Sequence, residues 1–106
     1  MMLSELPEVE IVGRATDGQT AIRLINKQCP DVVVLDIRMP KQNGMDVLQS
    51  IKKNGAIPLV IIFTNFPYPQ YREKCAQLGA DFFFDKSSEF HELKNIFHNL
   101  IHNAKN

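Results

Sequence analysis

Asp31-Val32-Val33-Val34-Leu35-Asp36-Ile37-Arg38-Met39-Pro40 decides how this chain folds. Four apolar residues, three of them β-branched, run without polar alternation and close on a carboxylate. An unalternated run of this length suits a strand buried on both faces, as in a parallel sheet. Downstream, Pro58-Leu59-Val60-Ile61-Ile62-Phe63-Thr64 repeats the pattern and closes on a hydroxyl. Asp81-Phe82-Phe83-Phe84-Asp85-Lys86 is an aromatic version that closes on an ammonium. Upstream, Glu10 to Ala15 reads as a short, weaker strand.

Helix-period segments fill the gaps. Thr16-Asp17-Gly18 supplies cap and turn chemistry before a helix carrying Ala21, Ile22 and Ile25, which Pro30 stops. Met45, Leu48 and Ile51 recur at helical spacing up to Asn54-Gly55. Tyr71, Cys75 and Leu78 form a third stripe, with Gly79 placed as the C-terminal cap. Phe90, Leu93, Phe97 and Leu100 form the longest, with Glu89 and Glu92 near its positive end. Strands alternating with helices imply an α/β protein: a parallel sheet with helices on both faces.

The 106 residues bound the chain at one domain, 1–106. Twelve basic and twelve acidic residues cancel, so no strong field draws it to nucleic acid or anionic lipid. No apolar run is long enough to cross a membrane, and no basic stretch followed by an apolar run opens the sequence. Cys29 and Cys75 lack metal-ligand spacing and read as reduced, buried small hydrophobes. The expected location is the cytoplasm.

In open α/β sheets, function gathers beyond the carboxyl ends of the strands. Asp36, Thr64 and Lys86 each close an apolar run there, with gaps of 28 and 22 residues that each fit one helix and its return. Singly, each has an ordinary reading: a helix-approach cap, a strand-end residue, a solvated charge. Together, on one rim, they have a coherent chemistry. The carboxylate can attack a phosphoryl group, the hydroxyl can donate to it, and the ammonium can neutralise its charge.

These residues resemble a known family. Asp36-Ile37-Arg38-Met39-Pro40 followed by Asn43-Gly44 is similar to the phosphorylation-site segment of response-regulator receiver domains. Leu78-Gly79-Ala80-Asp81 leading to Lys86 resembles their fifth strand and its lysine. The resemblance covers about residues 3–101. It implies a flavodoxin-like, CheY-like fold with strand order 2-1-3-4-5. It makes Asp36 the phospho-acceptor, Thr64 the switch hydroxyl, Lys86 the phosphoryl ligand and Phe83 the switch aromatic. Arg38 would lend its backbone carbonyl to Mg2+. The implied partner is a sensor histidine kinase or phosphotransfer protein, and the chain would be no enzyme beyond its own phosphorylation and dephosphorylation.

Receivers open with a strand ending in paired acidic residues and a first helix, and Met1 to Pro7 resembles only the end of that helix. The expectation is therefore a receiver reduced to about four strands, with the acidic pair absent and magnesium binding weakened, because Mg2+ usually needs one or two carboxylates. The same loss would uncover an apolar face beside the Phe90–Leu100 stripe. Burying about 500 Å² of such surface returns on the order of 12 kcal/mol before costs. A homodimer, with elements exchanged between chains, is the expected remedy. The competing reading is a degenerate receiver acting only as a dimerisation or binding module. A phosphotransfer hydrolase of the Asp-x-Asp type is disfavoured, since Arg38 stands where the second aspartate would be. His91, His98 and His102 read as a solvated helix face rather than a zinc site. Phe66-Pro67-Tyr68-Pro69 reads as a stiff turn, with a partner-specific role as the alternative.

Overall fold

The computed structural model describes residues 15–38, 43–53 and 58–104. Its elements run α1 (Gly18–Gln28), β1 (Val32–Leu35), α2 (Gly44–Lys53), β2 (Leu59–Thr64), α3 (Pro69–Gln77), β3 (Phe82–Asp85) and α4 (Phe90–Ala104).

Local chemistry sets the helix ends. The Asp17 carboxylate accepts from the Thr20 N–H at 2.8 Å and from the Thr20 hydroxyl at 3.1 Å, so the anticipated cap opens α1. Cys29 closes it in the left-handed conformation, at φ 48°, its N–H donating to the Ile25 carbonyl. Pro30 prevents continuation. At the end of α3, Gly79 takes φ 98°. There the Ala80 N–H reaches the Cys75 carbonyl at 2.9 Å, and the Gly79 N–H reaches Ala76 at 3.1 Å. This double bond pattern is a Schellman cap, and its left-handed residue explains the glycine.

The three strands form one parallel sheet in the order β1-β2-β3. Leu35 pairs with Ile62, and Thr64 pairs with Asp85. Consecutive order with parallel pairing requires each intervening helix to carry the chain back from the carboxyl end of one strand to the amino end of the next, as the βαβ reading demands. Asp81 fastens the start of β3. Its carboxylate accepts from the Val60 N–H at 2.8 Å, and its own N–H donates to the Val60 carbonyl at 2.9 Å.

Helices cover both faces. Ala21 and Ile25 of α1, Val47, Leu48 and Ile51 of α2, and Cys75 of α3 pack with Val33, Leu35, Val60, Ile62 and Phe83 on one side. Leu93 and Phe97 of α4 pack with Ile61 and Phe63 on the other. Val60, Ile61 and Ile62 are wholly buried, which is why β2 reads as an unbroken apolar run.

Of the about four strands expected, three lie among the described residues. Residues 10–14 of the anticipated fourth, together with the whole 1–14 segment, lie outside the described residues, and Ala15 is not in a strand. The Phe90–Leu100 stripe packs on the sheet. Leu93 is fully buried and Phe97 nearly so, because α4 lies on the sheet, and only Leu100 at its end is exposed. Val32 and Val34, at the β1 end of that face, are half-buried. Both cysteines are free, but only Cys75 is buried. Cys29 is exposed, because the residue that ends a helix in the left-handed conformation leaves the apolar stripe.

A left-handed cysteine is strained relative to glycine. Cys29→Gly should therefore raise the unfolding free energy by up to about 1 kcal/mol, net of the extra freedom glycine gains when unfolded. Urea denaturation of the two chains measures this.

Candidate functional site

The parallel register carries the ends of all three strands to one rim. Asp36 follows β1 directly, Thr64 is the last residue of β2, and Lys86 follows β3. The Lys86 N–H donates to the Thr64 carbonyl at 2.7 Å, continuing the β2–β3 ladder by one bond. Its ammonium then crosses over β2 to the Asp36 carboxylate, Nζ to Oδ2 3.1 Å. Two strand spacings separate β1 from β3, about 10 Å, a gap that needs a long side chain. The Asp36 and Lys86 side chains are 27% and 39% exposed. An ion pair this wet contributes little stability, about 1 kcal/mol or less. Its consequence is chemical, since the carboxylate is held beside a fixed positive charge.

The other Asp36 oxygen accepts from the Arg38 N–H at 3.3 Å, an Asx turn that orients the carboxylate. That loop is closed by the Gly44 N–H, which donates to the Ile37 carbonyl at 2.8 Å. A Cβ on Gly44 would overlap the Asp36 carbonyl oxygen. The glycine of the Asn43-Gly44 pair is therefore required by close approach of backbone to backbone. Asn43 and Asp46 cap α2 reciprocally: the Asp46 N–H donates to Asn43 Oδ1 at 3.0 Å, and the Asn43 N–H to Asp46 Oδ2 at 3.3 Å.

Thr64 is wholly buried, the only buried polar residue among those described. Its Oγ1 accepts from the Phe66 N–H at 3.0 Å, a turn that follows directly from the end of β2. A hydroxyl that accepts one bond still has a proton to donate. Phe83 is buried on the face covered by α3, three residues before Lys86. Sequence reasoning missed its companion. The Arg72 guanidinium stacks 4.6 Å from the Phe83 ring centroid and donates to the Phe83 carbonyl at 3.1 Å. No local pattern marks Arg72, because its partner lies on another element.

After β3 the chain turns around Asp85, whose Oδ1 accepts from the Ser87 N–H at 2.9 Å and from the Ser87 hydroxyl at 2.7 Å. The Ser87 hydroxyl, then its N–H, hold the Asp85 carboxyl below the usual carboxylate range. The Asp85 N–H itself donates to the Glu89 carboxylate at 2.9 Å.

The donors expected from the sequence for a metal are the Asp36 carboxylate and the Arg38 carbonyl. Both are hard oxygens, which suit Mg2+ in kind. Among the described residues no cluster of three or more His, Cys, Asp or Glu side chains joins them. None of the described helices is long and apolar enough to cross a membrane.

A parallel sheet with helices on both faces, with a carboxylate–ammonium pair and the buried Thr64 at the carboxyl ends of its strands, defines an α/β protein whose candidate site lies at that rim. The family model for the response regulator receiver domain matches residues 2–98. The chain belongs to that family, and it is a receiver domain of the kind found in two-component response regulators. It is 31% identical to the transcriptional regulatory protein DesR of Bacillus subtilis over 92% of this chain and 48% of that protein. It therefore spans about half the length of that relative. The signal receiver domain of the response regulator NarL from Mycobacterium tuberculosis superposes with a TM-score of 0.84 at 31% identity, covering 92% of this chain and 79% of the other. CheY from Borrelia burgdorferi, in a complex with CheX, beryllofluoride and Mg2+, gives a TM-score of 0.70 at 28% identity, covering 83% and 70%. Receiver domains of this family generally bind Mg2+ and interact with histidine kinases or phosphotransfer proteins.

Two outcomes follow from these contacts. Gly44→Ala should lower the unfolding free energy by about 1–3 kcal/mol, as overpacking does, measured by urea titration. Ser87→Ala should raise the Asp85 pKa toward the ordinary carboxylate value, read from its side-chain carbon shift in an NMR titration. A depressed folded pKa stabilises the fold above the unfolded pKa and loses that contribution as pH falls through the folded value. The variant's acid unfolding should therefore begin at higher pH than that of the parent chain.

Proposed function

We propose that Asp36 takes a phosphoryl group from the phosphohistidine of a sensor histidine kinase or phosphotransfer protein. An Asp36 oxygen attacks phosphorus in line, the N–P bond breaks, and the imidazole nitrogen leaves with the electron pair and takes up a proton. Asp36 then carries an acyl phosphate. The observation that carries this reading is the Lys86–Asp36 contact at 3.1 Å between residues fifty apart in sequence. The lysine that neutralises the resting carboxylate is already placed to follow the charge onto the phosphoryl oxygens. Thr64 donates its hydroxyl to one of those oxygens, and Phe83 follows the movement of Thr64 and passes it to the surface near α3. Bound Mg2+, held by the Asp36 carboxylate and the Arg38 carbonyl, would supply positive charge to the transferring group.

On this reading the chain is a cytoplasmic signalling receiver, with no enzymatic activity beyond its own phosphorylation and dephosphorylation. The homodimer stays part of this reading, since Val32 and Val34, on the sheet face that carries α4, are only half-buried.

Beryllofluoride with millimolar Mg2+ should shift the NMR signals of residues around Asp36. Asp36→Asn should abolish the shift, and Lys86→Ala should weaken binding about tenfold or more, in line with loss of a charge-assisted contact. No adduct in the parent chain at millimolar beryllofluoride or acetyl phosphate would overturn phospho-acceptance and leave a binding module.

A further inference from the structure

The loop 65–68 has no part in the reaction as described, yet it touches the site twice. Phe66 donates its backbone N–H to the Thr64 hydroxyl oxygen at 3.0 Å. Its ring lies under the Arg38 guanidinium, with Cζ 4.1 Å from the ring centroid. Arg38 belongs to the loop after β1 and Phe66 to the loop after β2, so the stack ties together the two loops that flank Asp36. From downstream, Phe66 is held by stiffer chemistry. Pro67 restricts the backbone of the residue before it. The Tyr68 N–H donates to the Phe66 carbonyl at 2.9 Å, and Pro69 begins α3. The rings of Phe66, Tyr68 and Tyr71 follow one another at 6.4 and 5.6 Å.

We propose that Arg38 and Phe66 form a latch that holds the Thr64 hydroxyl in its resting position and so sets how readily the site accepts a phosphoryl group. The proposal rests on Thr64 being the hydroxyl that answers phosphorylation. Thr64 is β-branched and wholly buried, so its oxygen moves only by rotating χ1 or by carrying the local backbone with it. Either motion must break or drag the bond from the Phe66 N–H. Dragging that N–H shifts a ring on which Arg38 is stacked. Arg38 thereby acts as a positioning residue through its side chain, apart from any use of its backbone carbonyl. It does not need to touch the phosphoryl group. The stack is a cation–π contact at an exposed rim, strong enough to bias an equilibrium severalfold and weak enough to open.

The test uses the full chain and two readouts: amide exchange at Phe66, and beryllofluoride affinity in millimolar Mg2+. Arg38→Ala and Phe66→Leu should each speed Phe66 amide exchange and tighten beryllofluoride binding by about twofold to fivefold. Exchange at Val60, deep in β2, should stay unchanged in both and so exclude general loosening. Arg38→Lys, which keeps a cation over the ring, should recover part of each effect. The double variant should behave as either single one, since both break the same contact. In a Thr64→Val background, Arg38→Ala should no longer alter affinity. Unchanged Phe66 exchange in Arg38→Ala, additive effects in the double variant, or weaker beryllofluoride binding in Arg38→Ala would each overturn the latch. If the parent chain binds no beryllofluoride, phospho-acceptance fails while Phe66 exchange still decides whether the latch exists.

Discussion

β2 is buried on both faces and hydrogen-bonded on both edges, and the rest of the molecule is arranged around that confinement. Val60, Ile61 and Ile62 have no exposed surface, and each must be covered by helices from its own side of the sheet. A strand so enclosed cannot slip, because a shift of one residue would exchange the Ile62 side packed by α2 and α3 with the Ile61 side packed by α4. Fixing β2 fixes the heights at which β1 and β3 end. The position of Asp36 relative to Lys86 is thus a consequence of core packing more than of the ion pair that joins them.

At the rim, the site is assembled from weak and mostly local contacts on that rigid support. Asp36 is aimed by its Asx turn to Arg38, Thr64 by its turn to Phe66, and Asp85 by Ser87. None of these bonds would hold a loop alone, and each leaves its side chain able to exchange partners. This division suits a receiver. The sheet must not move when a charge of nearly two units arrives, whereas the groups that answer that charge must. Gly44 belongs with the rigid part, since the backbone of α2 passes so near Asp36 that no side chain fits between them.

Much of this was legible in the residues. The unbroken apolar runs announced parallel strands, Asp17 and Gly79 marked helix ends, and the polar residues closing each run identified the rim and three of its side chains. These signals are local: a run, a cap or a spacing is read from neighbours along the chain. The reading that failed concerned a surface. Cys29 was placed inside a stripe that the left-handed turn makes it leave.

What the sequence by itself determined is the fold class and the chemical kind of the site, because burial pattern and residue type are encoded position by position. What only the tertiary structure decided is which groups meet. Lys86 reaches Asp36 across an intervening strand, Arg72 finds Phe83 from another element, and Arg38 lies over Phe66 from the neighbouring loop. In each case the two residues are brought together by the packing of helices on a sheet. A contact made in that way leaves no periodic trace along the chain.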